Sequence, residues 1–171
     1  MPGLARSGGL RRLSMFSRIL LATDFSENAR QAYAWAAELA RVHGGTLVLV
    51  HALESDVVNP GTVYGGPFLP EGVDYQALLA EFKQSASGAL EAAKGELEEK
   101  GAGQVETHLI DGGKAWRVII DAAKELNCSI IVLATHGRGG LAHLLLGSTA
   151  ERVVRGAHVP VLTVHEGDRM S

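Results

Sequence analysis

Ala134-Thr135-His136-Gly137-Arg138-Gly139-Gly140-Leu141-Ala142-His143-Leu144-Leu145-Leu146-Gly147-Ser148 joins a short apolar strand to a helix through a glycine-rich loop. Immediately before it, Ser129 to Leu133 reads SIIVL, a β-branched run of strand length. After it, Ser148-Thr149-Ala150-Glu151 sets a serine three residues before a glutamate, the capping-box pattern, and predicts a helix from Thr149 to about Gly156. A helix start leaves backbone N–H groups facing outward with the positive end of the helix dipole behind them, so a phosphate chain is favoured there without any lysine.

Working outward, the same strand-then-helix unit recurs. Ile19 to Thr23 (ILLAT) is apolar throughout, and Asp24-Phe25-Ser26-Glu27 offers capping residues before an alanine-rich helix to about His43, closed by Gly44-Gly45. Thr46 to His51 (TLVLVH) reads as a second strand, and Leu53 to Gly72, with Pro60, Pro67 and Pro70 among glycines, as an excursion loop. Asp74 to Lys100 has helical spacing; Gln104 to Ile110 alternates as a half-exposed strand; Lys114 to Leu126 is helical with Trp116, Ile119, Ile120 and Ala123 on one side; Val159 to Val164 is the last strand.

Strands this apolar, alternating strictly with helices, predict an α/β domain: a five-stranded parallel sheet covered by helices on both faces. With the common order 3-2-1-4-5, strands one and four are neighbours where the winding reverses, and ligands bind beyond their carboxyl ends. The two polar, turn-rich segments, Thr23-Asp24-Phe25-Ser26 and the glycine loop, follow those two strands.

Composition bounds the rest. A chain of 171 residues, 46% hydrophobic, suits one domain. We expect it over residues 15–166, with tails at 1–14 and 167–171. Met1 to Ser14, with Arg6, Arg11 and Arg12 among glycines and serines, reads as an unstructured tail, and Met15 as an alternative start. Lys+Arg 16 against Asp+Glu 19 gives a net charge of −3, which does not draw the protein to nucleic acid or an anionic membrane. No apolar run approaches the roughly 20 residues of a membrane helix, so a soluble protein is expected. The single cysteine, Cys128, excludes an internal disulfide, fits a reducing cytoplasm and reads as a small buried hydrophobe.

At these residues the chain resembles the universal stress protein family, from about Phe16 to His165. The nucleotide-binding branch of that family has glycine, two residues, glycine, nine residues, glycine, then serine or threonine. Gly137, Arg138 to Leu146, Gly147 and Ser148 match this pattern, while Ala134 stands where the first glycine is expected. Further matches are ILLATDFSENA, LVLVHA, Asp111-Gly112-Gly113 and Val159 to Val164; Ser129 replaces the aspartate that commonly begins the fourth strand. The resemblance implies the adenine nucleotide alpha hydrolase-like fold, ATP, ADP or AMP as ligand, and a homodimer paired through Val159 to Val164. An ordinary edge strand is the alternative for that last segment.

Each candidate residue carries two readings. Gly137 and Gly147 let backbone amides approach phosphate oxygens, or serve only as tight turns. Ser148 caps the last helix, donates to phosphate, or does both, and Thr149 assists. Arg138 reaches a phosphate or is solvated. By resemblance Asp24 lies against the nucleoside, although it also suits a helix cap, with Ser26 as competitor. Thr23 belongs to the same turn. By resemblance the backbone of Ala52 meets adenine; the methyl of Ala134 either crowds the ligand or is harmless. His136 and His143 lack the spacing and acidic support of a metal site, so Mg2+ is expected only with a triphosphate. Leu144 to Leu146 suits core or dimer packing.

Three functions compete on these grounds. One is a nucleotide-binding stress or signalling protein that changes shape or partners with its bound state. A second is a scaffold of the same fold that binds no nucleotide, and a third is an enzyme. The sequence has no GxxxxGK[ST] loop and no evident base beside a nucleophile, so turnover is expected to be absent or below about one per minute, against ~10 per second for ordinary enzymes.

Overall fold

The computed structural model describes residues 15–54, 74–135, 146–165 and 167–168. Five strands, β1 (Arg18–Ala22), β2 (Thr46–Leu53), β3 (Val105–Asp111), β4 (Ile130–Ala134) and β5 (Val161–Val164), alternate with helices α1 (Glu27–His43), α2 (Tyr75–Glu99), α3 (Ala115–Glu125) and α4 (Ser148–Gly156). The strands form one parallel sheet, as the alternation predicts, and take the common order, β3-β2-β1-β4-β5.

The period of two along each strand divides the core into two layers. Ile19, Leu21, Leu47, Leu49, Ile130 and Val132 face one side and pack under α1 and α2. Leu20, Val48, Val50, Ile131 and Leu133 face the other, under α3 and α4. Most of these are wholly buried, and each such side chain contributes about 1.5–3 kcal/mol. Small residues let α1 lie close to the sheet: Ala29, Ala32, Ala36 and Ala40 form its buried stripe. β3 is half-exposed at one edge, as its alternating polarity requires.

Local signals place the helix ends. Ser26 caps α1 by accepting from the Ala29 amide, and Gly44 closes it in the left-handed conformation at φ 60°. At Gly45 the chain passes so near the first strand that a Cβ would lie 2.5 Å from the Phe16 carbonyl oxygen. Asp74 caps α2 through the amides of Gln76 and Ala77. Beneath the sheet, Arg18 donates through Nε to the Leu126 carbonyl (2.8 Å) and grips Glu106 with both terminal nitrogens (3.2 and 2.7 Å). That clamp ties β1 to the edge strand and to the end of α3. The guanidinium holds the Glu106 carboxyl below its ordinary range. Cys128 is buried, and its burial pushes the thiol up.

Most strand boundaries shift by a residue or two from the sequence reading, and three shifts have a clear cause. β5 begins at Val161 rather than Val159, because Pro160 has no N–H to give a ladder and offers only its carbonyl, to Ile131. β2 runs on to Leu53 because β3 pairs with it as far as Asp111. α4 begins at Ser148 with Gly147 as its N-cap, so Ser148 is the first helical residue and not the cap. Glu151, three residues on from Ser148, pairs with Arg155 instead of completing a capping box.

Candidate functional site

β1 and β4 are adjacent, and the chain leaves them toward opposite faces of the sheet, so their carboxyl ends open onto the crevice where the winding reverses. The segments meeting there are the turn 23–26, the end of β2, the end of β4 and the start of α4.

The turn is organised around Thr23, which is 7% exposed. Its N–H donates to the Val50 carbonyl (3.0 Å), its Oγ1 accepts from the Phe25 amide (3.0 Å), and its hydroxyl shares a hydrogen bond with the Tyr33 phenol (2.9 Å). The Thr23 side chain is therefore directed into the protein. Burial raises the Tyr33 phenol above its ordinary range, so it stays a neutral hydrogen-bonding group. Asp24 accepts from the Ser26 amide through Oδ1 (3.0 Å), which fixes the carboxylate in a local loop while Ser26 takes the helix cap. Phe25 adopts φ 64°. A bulky side chain in that region is costly and persists where its surroundings hold it.

At the end of β2, His51 lies against this turn: its Nδ1 donates to the Thr23 carbonyl (2.8 Å), and its ring is 4.4 Å from that of Phe25. Ala52 follows, partly buried and paired with Ile110. Glu54 then crosses to the start of α3, where its carboxylate accepts from the Ala115 amide (2.9 Å) with Lys114 Nζ 3.7 Å away. Asp111, after β3, pairs with Lys83 of α2 (2.6 Å).

On the other side of the crevice, Ala134 ends β4 opposite Val164, and Thr135 is 1% exposed. Thr135 Oγ1 bonds His165 Nδ1 (3.2 Å), and the Thr135 carbonyl accepts from the Gly147 amide (2.7 Å). The ends of the glycine loop are thus clasped together, whatever the path between them. Gly137 and Arg138 lie outside the described residues, as do His136, His143, Leu144 and Leu145. Gly147 has φ −67° and ψ 156°, and among the described residues no side chain caps α4.

The starts of the four helices among the described residues differ in a way that bears on chemistry. Ser26, Asp74 and Glu54 supply side-chain acceptors to α1, α2 and α3. At α4 the exposed Ser148 hydroxyl and half-buried Thr149 accompany amides without such an acceptor among the described residues. An anion at that end gains hydrogen bonds and the dipole together. Among the described residues no group of three His, Cys, Asp or Glu side chains is arranged to hold a metal, and no helix is long and apolar enough to cross a membrane.

Reading the sequence did not single out His51, Tyr33 or Glu54. A histidine ending the apolar run TLVLVH was the one local signal; the bonds of His51 and Glu54 span 28 and 61 residues. Of the residues expected at the site, Thr23, Asp24, Ala52, Ala134, Gly147, Ser148 and Thr149 all end or follow strands, or start α4, around the crevice.

Comparison with known proteins agrees with this architecture. Residues 15–165 match the universal stress protein family. A universal stress protein of Thermus aquaticus, encoded 3′ of a QAH/OAS sulfhydrylase, is 35% identical over 88% of this chain and 99% of its own length. The structure of MJ0577, a universal stress protein of Methanocaldococcus jannaschii, superposes with a TM-score of 0.74 at 25% identity, covering 92% of this chain and 99% of the other. The Archaeoglobus fulgidus universal stress protein in complex with dAMP gives a TM-score of 0.61 at 26% identity, covering 87% and 98%. With a match spanning the folded sheet from before β1 to beyond β5, the chain belongs to the universal stress protein family.

Proposed function

We propose that this protein binds an adenine nucleotide in the crevice beyond β1 and β4 and acts in stress response through a nucleotide-dependent conformation or partner. The observation that carries the reading is the start of α4, where the Ser148 and Thr149 amides lie at the crevice end of the sheet with no side-chain cap among the described residues. A phosphate bound there takes the place that Glu54 fills at α3. The relative that binds dAMP, 26% identical to this chain, supports an adenine nucleotide as the ligand.

In this reading Ser148 donates its hydroxyl to phosphate, with Thr149 beside it. Asp24 turns its carboxylate to a ribose hydroxyl or the adenine amine, and the Ala52 backbone borders the base. Thr23 shapes the turn from within. Ala134 enters as extended backbone at a strand end, where a methyl is compatible with close packing. Gly137 and Arg138 complete the phosphate loop, and a triphosphate brings Mg2+ with it. ATP is the expected physiological ligand, and binding rather than rapid turnover is the role. A second copy pairs along β5, the edge strand, in a cytoplasmic homodimer.

Titration calorimetry of the purified protein with dAMP and with ATP, each with and without Mg2+, tests the reading. Saturable heat with a Kd below about 1 mM is expected. No heat with either nucleotide at several millimolar would assign the chain to the scaffold alternative.

A further inference from the structure

Building on the nucleotide-binding reading, we propose that His51 is a positioning residue for that site, holding the Thr23–Phe25 turn that presents Asp24 rather than contacting the ligand itself.

The turn contains an unfavourable element that something must hold. Phe25 sits at φ 64°, a left-handed conformation that is costly for an L-residue with a large side chain. Local bonds favour the turn: the Phe25 amide on Thr23 Oγ1 and the Ser26 amide on Asp24 Oδ1. Both depend on where Thr23 stands. Its hydroxyl is fixed to Tyr33 of α1 and its amide to Val50 of β2, which leaves the carbonyl to decide the direction in which the chain leaves β1. His51 takes that carbonyl at 2.8 Å. Because a carbonyl only accepts, Nδ1 carries the proton, and the ring is fixed in plane and in tautomer.

The fixed ring then meets Phe25 at 4.4 Å, with the planes tilted by 36°. One buried imidazole, 7% exposed, thus secures the residue before Asp24 by a hydrogen bond and the residue after it by ring contact. It belongs to a strand whose next residue, Ala52, borders the proposed base site. The Asp24 side and the β2 side of the crevice are thereby set in one geometry before a ligand arrives, and such preorganisation raises affinity by removing ordering costs.

Substitutions separate the two contacts. His51→Asn keeps an N–H at the Nδ1 position and loses the ring. His51→Phe keeps a ring and loses the donor. His51→Gln carries the same amide as asparagine but one carbon further out. If the Nδ1–carbonyl bond positions the site, His51→Phe and His51→Gln weaken adenine nucleotide binding about five- to tenfold, the worth of one buried hydrogen bond, while His51→Asn stays within about twofold of the parent. With Asp24→Ala in the background, His51→Phe should cost little more, since the path runs through Asp24.

Amide hydrogen exchange at Phe25 and Ser26 without ligand provides an independent readout. Faster exchange in His51→Phe and His51→Gln, but not in His51→Asn, supports the inference even where wild-type protein binds no nucleotide, an outcome that overturns the functional reading alone. Should His51→Phe not fold, the Asn and Gln pair makes the same comparison. Parent-like affinity and protection in His51→Gln, or equal losses in His51→Asn and His51→Gln, would overturn the positioning role.

Discussion

Placing a carboxylate at position 147 should stabilise the protein and abolish nucleotide binding at once. Gly147 has the extended conformation of an N-cap, at φ −67° and ψ 156°, but no side chain to accept from α4. Gly147→Asp supplies that acceptor in a conformation any residue adopts. Over glycine, an aspartate cap contributes a few tenths of a kcal/mol, and its charge at the helix N-terminus about 0.3–1 kcal/mol more. For a domain of this size a total of about 1 kcal/mol raises Tm by roughly 2–4 °C. The same carboxylate meets a phosphate about 4 Å away with a repulsion of about 4 kcal/mol per charge at an effective dielectric constant of 20, enough to weaken binding more than about a hundredfold. Thermal melts by circular dichroism and calorimetric titration with dAMP measure the two effects on one sample. Gly147→Asn caps without the charge and should lose less affinity. Gly147→Asp protein that binds dAMP within about threefold of the parent would refute phosphate binding at this helix end.

Other consequences follow from the fold. Gly45→Ala forces a methyl to within 2.5 Å of the Phe16 carbonyl oxygen and 2.9 Å of Ile19 Cδ1, and should lower stability to urea by about 1–3 kcal/mol, as overpacking does. Glu106→Gln removes the carboxylate that the Arg18 guanidinium holds below its ordinary value of 4.5. A depressed folded-state value means that the carboxylate stabilises the fold above pH 4.5 and that this contribution is lost as the pH falls through the lower folded value. The parent's advantage over Glu106→Gln, under about 1 kcal/mol for a pair this near solvent, should therefore be full at pH 6 to 7 and shrink as the pH falls below 4.5 in urea titrations. The Cys128 thiol, raised by burial, should react with a disulfide reagent slowly in the native protein and rapidly in denaturant. Fast native-state labelling would contradict its burial.

Much of this architecture is legible in local sequence because the deciding terms are local. SIIVL and TLVLVH are too apolar for one-sided exposure, and the alternation with helices then requires a parallel sheet, from which the crevice at β1 and β4 follows. Gly44 and Ser26 end and start α1 by conformational preference alone. What the sequence concealed depends on distant partners. Ser148 has every local mark of a cap, yet the Gly147 amide is held by Thr135, which carries the cap one residue earlier. Asp24 and Ser26 compete equally as caps on paper; the Asp24 carboxylate takes the Ser26 amide and leaves the helix to Ser26. The hub at Thr23 needs Tyr33, Val50 and His51 brought together by the sheet, and the capping of α3 by Glu54 requires β2 to end beside it.

The central claim is that the amides at the start of α4 hold phosphate. A crystal structure of the protein grown with dAMP tests it most directly. The account predicts phosphate oxygens within about 3 Å of the Ser148 and Thr149 amides, with the Asp24 carboxylate on the nucleoside. A nucleotide bound elsewhere, or a crevice filled by the protein's own side chains under saturating dAMP, would contradict it.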